Sequence, residues 1–98
     1  MNLFGHVRDA CVQRGGSIEW SLIDDKAVLV NIDEGVVLKL DEVGTAVWLA
    51  IDGTKKAIDL VRHICDQYDV GEKAAKKDIL GLLRNLEANK AIEYKEAG

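Results

Sequence analysis

The sequence predicts an α+β domain in which a three-stranded antiparallel sheet precedes three helices. Two patterns carry this prediction: apolar residues alternate with polar ones in residues 17–40, and they recur at helical spacing in residues 42–89. The chain has 98 residues, 48% of them apolar, which is enough for one core. Short strands followed by a run of helices are typical of a sheet with one face covered by helices.

The strand prediction rests on three short segments, residues 17–22, 27–32 and 36–40. Alternation places three sets of apolar residues on shared faces: Ile18, Trp20 and Leu22; Val28, Val30 and Ile32; Val36, Leu38 and Leu40. Asp24-Asp25 and Asp33-Glu34-Gly35 separate the segments, and turns this short join adjacent antiparallel strands. The prediction is therefore a meander whose first and third strands each have an unpaired edge.

Three predicted helices follow. Asp41 is the expected N-cap of the first helix, residues 42–51, which ends before Gly53. Thr54 is the expected cap of the second helix, and residues 72–89 form the third and longest. An extended tail carrying Ile92 and Tyr94 closes the chain.

The N-terminal region has weak, mixed patterning. Residues 1–14 fit either a frayed arm or a short helix, and the pattern leaves both alternatives open. The expected organisation is therefore an N-terminal arm, residues 1–15, followed by a domain that spans residues 16–98.

Composition excludes several kinds of function. The net charge of −4 argues against binding to nucleic acid or to an anionic membrane, and no apolar run approaches the roughly 20 residues of a membrane span. The N-terminus lacks the apolar region of a secretory signal, and the lone Cys11 and Cys65 fit a reducing cytoplasm. His63 and Cys65 would diverge on a helix, so they cannot share a metal ion. With no catalytic or phosphate-binding motif, we expect a non-catalytic protein without metal or cofactor.

The third helix shows one departure from a simple amphipathic pattern. Its predicted core stripe consists of Ala75, Ile79, Leu82, Leu83 and Leu86. Leu80 lies off the stripe among long, mostly basic side chains, which fits either the wall of a groove or an ordinary exposed leucine. Residues 71–90 contain five basic and three acidic side chains, whereas residues 17–53 contain two basic and eight acidic ones. The helix is thus either a solvated face or a surface that attracts an acidic or mixed-charge chain.

Several short motifs occur together in a familiar order. Leu40-Asp41 precedes Gly44 and Trp48, a Gly53-Thr54 break follows, and Asp78-Ile79-Leu80 leads to Leu83 and Leu86. Over residues 16–94 this pattern resembles the PqqD family, the peptide-binding domains also called RiPP recognition elements. Where relatives commonly leave the third helix with glycine and leucine, this chain has Lys90 and Ala91. Asn89 is then expected to take the left-handed position.

The resemblance implies a winged-helix-like domain that acts as a peptide chaperone and is not an enzyme. Such a domain binds the leader segment of a ribosomally made precursor peptide and presents it to a maturase, often a radical-SAM enzyme. Pyrroloquinoline quinone (PQQ) synthesis is the pathway that names the family, and relatives serve other peptides.

In the family, the leader adds as a strand beside the third strand, in the cleft that this strand forms with the third helix. Carried onto this chain, the strand wall is Val36, Val37, Leu38, Lys39 and Leu40, and the helix wall is Lys76, Leu80, Leu83, Arg84 and Glu87.

Two other functions compete with this interpretation. The first is a winged-helix DNA-binding regulator that uses the basic residues of the third helix, which the negative net charge disfavours. The second is a structural adaptor that binds no leader and docks on a larger enzyme through a sheet edge.

Overall fold

The computed structural model describes residues 10–96, which form five strands and three helices. The strands are β1 (Ala10–Arg14), β2 (Ile18–Ile23), β3 (Lys26–Asn31), β4 (Val36–Lys39) and β5 (Ile92–Glu96). The helices are α1 (Glu42–Ala50), α2 (Ala57–Gln67) and α3 (Glu72–Ala88). The predicted α+β class is confirmed, with the three-stranded sheet and the three helices in the predicted order.

The central sheet is the predicted antiparallel meander in the order β2-β3-β4. Asp24 and Asp25 join β2 to β3 with positive φ angles of 53° and 67°. A two-residue loop of this kind matches the twist of the strands, and aspartate tolerates the left-handed conformation better than most residues. Gly35, with φ at 67°, turns the chain between β3 and β4.

The helices do not pack on the face of β3 that carries Val28, Val30 and Ile32; they pack on the opposite face. The buried side chains of β3 belong to Ala27, Leu29 and Asn31. The small side chain of Ala27 leaves room for α1, and its N–H donates to Thr45 Oγ1 at 2.8 Å. Asn31 is buried, and both polar atoms of its side-chain amide form hydrogen bonds within the protein. Nδ2 donates to Asn89 O at 3.0 Å, and Oδ1 accepts from Glu34 N at 3.1 Å.

The N-terminus of α1 is as predicted, and that of α2 is not. Asp41 caps α1 by accepting a hydrogen bond from Gly44 N at 2.7 Å. The prediction that Thr54 caps α2 is wrong, because Thr54 donates from its N–H and its hydroxyl to Asp52 in the preceding loop. Helix α2 begins later, at Ala57, where the N–H of Lys56 donates to the Asp59 carboxylate at 3.0 Å.

Two predictions about α3 also change. Asn89 ends the helix with φ at −96°, and Lys90 takes the left-handed position with φ at 59°. The expectation that Asn89 would adopt this conformation is therefore wrong. Leu82, which the sequence placed in the core stripe, is only half-buried, whereas Ala75, Ile79, Leu83 and Leu86 are buried as predicted.

A second, two-stranded sheet joins the two ends of the described chain. Strand β1 pairs antiparallel with β5, so Val12 lies opposite Tyr94 and Arg14 opposite Ile92. The extended tail is confirmed, but residues 10–14 form a strand, which neither alternative for the N-terminal region included. Gly15 follows β1, and a Cβ there would lie 2.5 Å from Lys90 O, so only glycine fits. Residues 1–9 of the predicted arm lie outside the described residues.

None of the helices in residues 10–96 is long and apolar enough to cross a lipid bilayer.

Candidate functional site

Strand β4 has an unpaired edge in the described part of the chain. It is the last strand of its sheet and pairs with β3 on one side. Leu40 N–H donates to Ala27 O at 2.9 Å, which fixes the alternation of the antiparallel ladder. Residues 36, 38 and 40 therefore direct their backbone groups at β3, whereas Val37 and Lys39 direct theirs outward.

The side chains of β4 divide between the two faces of the sheet. Val36 and Leu38 are half-buried on the face that packs against the helices, and Leu40 is buried there. The side chains of Val37, 57% exposed, and Lys39 lie on the opposite face. A chain added beside β4 would thus place alternate side chains next to Leu38 on the helix side.

Helix α3 runs beside this edge, with a cavity near each end of β4. The first cavity, about 230 Å³, lies where Asp41 and Gly44 approach Asp78 and Leu82. The second, about 90 Å³, is lined by Glu34, Val36, Ala88, Asn89 and Lys90. One flank of α3, which contains Asp78 and Leu82, and the C-cap residue Asn89 therefore lie towards the two ends of β4.

Two contacts tie the turn between β3 and β4 to the end of α3. Asn31 binds the carbonyl of Asn89 as described above, and Lys90 Nζ donates to Glu34 Oε1 at 2.6 Å. The hydrogen bond to Glu34, and secondarily its charge, raises the pKa of Lys90. Both partners of the ion pair are exposed, so it adds little stability. Its geometric effect is to hold the start of β4 against α3.

The helix residues that the sequence assigned to the site lie mainly on the other flank of α3. Successive residues turn by about 100°, so Leu80 and Glu87 lie across the core stripe from Leu82. Burial, and then the charge of Glu87, raises the pKa of Tyr94 on β5.

The helix residues that the sequence assigned to the site also differ in how exposed they are. Leu83 is only 1% exposed and belongs to the core, and Leu80 is half-buried against it. Lys76, Arg84 and Glu87 are exposed. The structure thus brings the predicted strand residues together at one edge, and Asp78 and Leu82 line the cavity next to Asp41, just after β4. A role for the predicted helix wall in peptide binding stays a prediction.

Little in the sequence indicated that the flank of α3 with Asp78 and Leu82 lies towards β4. Leu82 lay at the margin of the predicted core stripe, and Asp78 belonged to the family motif. A helical projection gives the angle between residues, but it does not reveal on which side the sheet edge passes. Among residues 10–96, no cluster of His, Cys, Asp and Glu side chains is arranged to hold a metal ion.

A small α+β domain with an unpaired strand edge and a long helix has the geometry that strand-accepting binding domains use. The chain belongs to the PqqD family, since the family model for coenzyme PQQ synthesis protein D matches residues 26–92. The resemblance seen in the sequence is thereby confirmed.

Two solved structures share this fold. One is TbiB1 in complex with the TbiA(beta) leader peptide: the TM-score is 0.76 at 27% identity, covering 83% of this chain and 94% of that chain. The other is lasso peptide synthetase B1 complexed with its leader peptide, with a TM-score of 0.73 at 18% identity. That match covers 84% of this chain and 96% of the other. A search of curated proteins finds no match.

Proposed function

We propose that this protein binds the leader segment of a ribosomally synthesised precursor peptide and presents it to a maturation enzyme. The observation that carries the proposal is the edge of β4, where Val37 and Lys39 direct backbone donors and acceptors away from the sheet beside α3. The similarity to TbiB1, solved with a leader peptide, supports it independently.

The leader would pair with β4 as a fourth strand. Two outward-facing residues supply four backbone hydrogen bonds, which at about 1 kcal/mol each contribute about 4 kcal/mol. Micromolar affinity needs about 8 kcal/mol. Apolar side chains of the leader must therefore enter the cleft, and each buried one contributes about 1.5–3 kcal/mol.

The cleft sets which leader side chains fit. On the strand side they meet Val36 and Leu38, and on the helix side the geometry favours Leu82 over the predicted Leu80. Asp41 and Asp78 make the first cavity acidic, whereas at the second cavity Lys90 is paired with Glu34. This arrangement fits a leader with an apolar centre and a basic residue next to the first cavity.

The domain itself supplies binding, and the partner enzyme supplies the chemistry. A radical-SAM enzyme is the maturase class that the family resemblance implies, and a cytoplasmic setting accommodates both the peptide and such an enzyme. No observation in the structure favours the DNA-binding alternative, and the net charge of −4 opposes it.

A pair of proline variants tests strand addition. In Lys39→Pro the lost N–H is one that β3 does not use, so the fold should persist while leader affinity falls about tenfold or more. Leu38→Pro removes an N–H that faces β3 and should destabilise the sheet. The binding measurement is calorimetric titration with synthetic leaders of short peptides encoded beside this gene, with circular dichroism as the folding control.

Unchanged leader affinity in a folded Lys39→Pro protein would remove β4 from the site. Binding of duplex DNA in place of any leader, with steep salt dependence, would instead favour the regulator.

A further inference from the structure

The opposite end of the sheet has a second unpaired edge, formed by β2. Ile32 N–H donates to Ser17 O at 3.1 Å, which fixes the ladder alternation between β2 and β3. Glu19 and Ser21 therefore bond to β3, whereas Trp20 and Leu22 direct their N–H and C=O groups outward. Within residues 10–96, β2 pairs with β3 alone.

Apolar side chains accompany this edge. Trp20 lies opposite the buried Leu29, on the helix side of the sheet, yet it is 36% exposed. Leu22 is 49% exposed and lies opposite Ala27, whose N–H donates to Thr45 on α1. Leu49 lies one helical turn after Thr45 and is 48% exposed. We call Trp20, Leu22 and Leu49 together the β2 surface.

Arg14 holds the aromatic part of the β2 surface in place. Its guanidinium lies 4.7 Å from the ring centroid of Trp20 and 4.8 Å from that of the buried Trp48. Nη2 of Arg14 also donates to Trp48 O at 2.8 Å, and the two indole rings meet edge to face at 6.1 Å. Because these contacts already restrict the Trp20 side chain, Trp20 loses little further conformational entropy when a partner packs on it.

Acidic side chains outnumber basic ones around the β2 surface. Residues 17–25 contain Glu19, Asp24 and Asp25, while the nearby basic side chains are Lys26 and Arg14, the latter stacked on Trp20. A groove between α1 and α2, of about 530 Å³, continues from Leu49 and is lined by Asp25, Glu42 and Asp52. Lys55, which also lines the groove, is paired with Asp52 at 2.8 Å.

We propose that the β2 surface docks an extended segment of a second protein, one that carries alternating branched aliphatic side chains flanked by Lys or Arg. The backbone of that segment pairs with Trp20 and Leu22, its aliphatic side chains pack on the indole and the leucines, and its basic residues meet the acidic surroundings. A second copy of this chain does not fit, because its own β2 would bring the same acidic residues. This site is separate from β4 and does not depend on leader binding there.

The test uses the full chain and two short synthetic peptides of alternating valine and threonine, one flanked by lysines and one by glutamates. We expect the lysine-flanked peptide to bind about tenfold more tightly, because several charge contacts of modest strength act together. Its titration should shift the backbone amide signals of Trp20 and Leu22 and quench the fluorescence of Trp20.

Two variants locate the site. Leu22→Pro removes an outward N–H, and Leu22→Glu adds a negative charge without changing the backbone. Both should weaken binding of the lysine-flanked peptide about tenfold, while Lys39→Pro on β4 leaves it unchanged. Leader binding should weaken in Lys39→Pro and stay unchanged in the two Leu22 variants. A failure of the proposal for β2 is therefore distinguishable from a failure of the proposal for β4.

Three results would overturn the inference: equal affinity for both peptides, amide shifts at β4 instead of β2, or no binding by the full chain. Concentration-dependent dimerisation that Leu22→Glu abolishes would assign the surface to a second copy instead.

Discussion

The two edges of the central sheet offer the same backbone chemistry in different surroundings. Strand β4 has four residues and runs beside α3, so a chain added there enters a cleft with two walls. Strand β2 has six residues, and within residues 10–96 its exposed side chains form an open surface with Leu49 of α1. Backbone pairing supplies affinity at either edge, and a two-walled cleft contacts the side chains of an added strand on more sides than an open surface does.

The contacts that position each edge differ as well. At β4, Asn31 and Glu34 tie the sheet to the end of α3 through Asn89 and Lys90. At β2, Arg14 stacks on Trp20 and leaves the strand itself open to solvent. Under the two proposals made above, β4 would bind the leader peptide and β2 would bind a protein partner.

The largest expected effect comes from a residue on which both edges depend. Leu86 is fully buried in the core, and Leu86→Asp places an unpaired charge there. We expect the free energy of unfolding to fall by at least ~4 kcal/mol, with loss of binding at both edges. Urea denaturation measures the change, and Glu87→Asp, at the exposed neighbouring position, is the control that should stay folded. A stable Leu86→Asp protein would contradict the described core.

A smaller effect should separate the edges. Asn31→Leu removes the hydrogen bonds to Asn89 O and from Glu34 N, leaving two backbone groups without these partners. The expected loss of stability is about 2–3 kcal/mol. Because these bonds hold the turn that leads into β4 against the end of α3, leader binding should weaken while binding at β2 persists. Equal losses of affinity at both edges, measured by titration of the folded variant, would show that Asn31 does not position β4 specifically.

The choice of helix flank is tested by two aspartate substitutions. Leu82→Asp should weaken leader binding about tenfold to a hundredfold, because it introduces a charge where the cavity near Asp41 meets α3. Leu80→Asp should leave the fold intact, and it weakens binding as strongly only if the sequence-predicted wall is the binding surface. Calorimetric titration of both variants with the same leader decides between the two flanks.

The smallest expected effect concerns pH near the β2 surface. Hydrogen bonds, first from Lys55 and then from Thr54, lower the pKa of Asp52 below its usual value of 3.8. A lowered folded-state pKa stabilises the protein above pH 3.8, and this contribution is lost as the pH falls towards the folded-state value. Asp52→Asn should therefore reduce the acid dependence of unfolding slightly. Urea denaturation of both proteins between neutral and acidic pH measures the difference, and identical pH profiles would refute this role of Asp52.

The sequence predicted the meander and the helices because local chemistry marks them. Asp24-Asp25 and Gly35 specify the turns, and Asp41 caps α1 through its own side chain. Where local chemistry was ambiguous, the predictions failed. Thr54 carries the right side chain for a cap but binds Asp52 instead.

The remaining differences come from contacts distant in sequence. The alternation in β3 defines two faces, and the neighbour that covers one of them, α1, decides which is buried. Strand β1 exists because β5 pairs with it across nearly the whole chain, which no short pattern encodes. The flank of α3 that faces β4 likewise depends on the path of the sheet.

Hydrogen exchange of individual backbone amides tests the central claim most directly. In the free protein the amides of Val37 and Lys39 should exchange quickly, whereas that of Leu38, which faces β3, is protected. Saturation with the leader should slow exchange at Val37 and Lys39 by about tenfold or more, while Trp20 and Leu22 on β2 do not change. Tight leader binding that leaves Val37 and Lys39 exchanging at their free rates would contradict strand addition at β4.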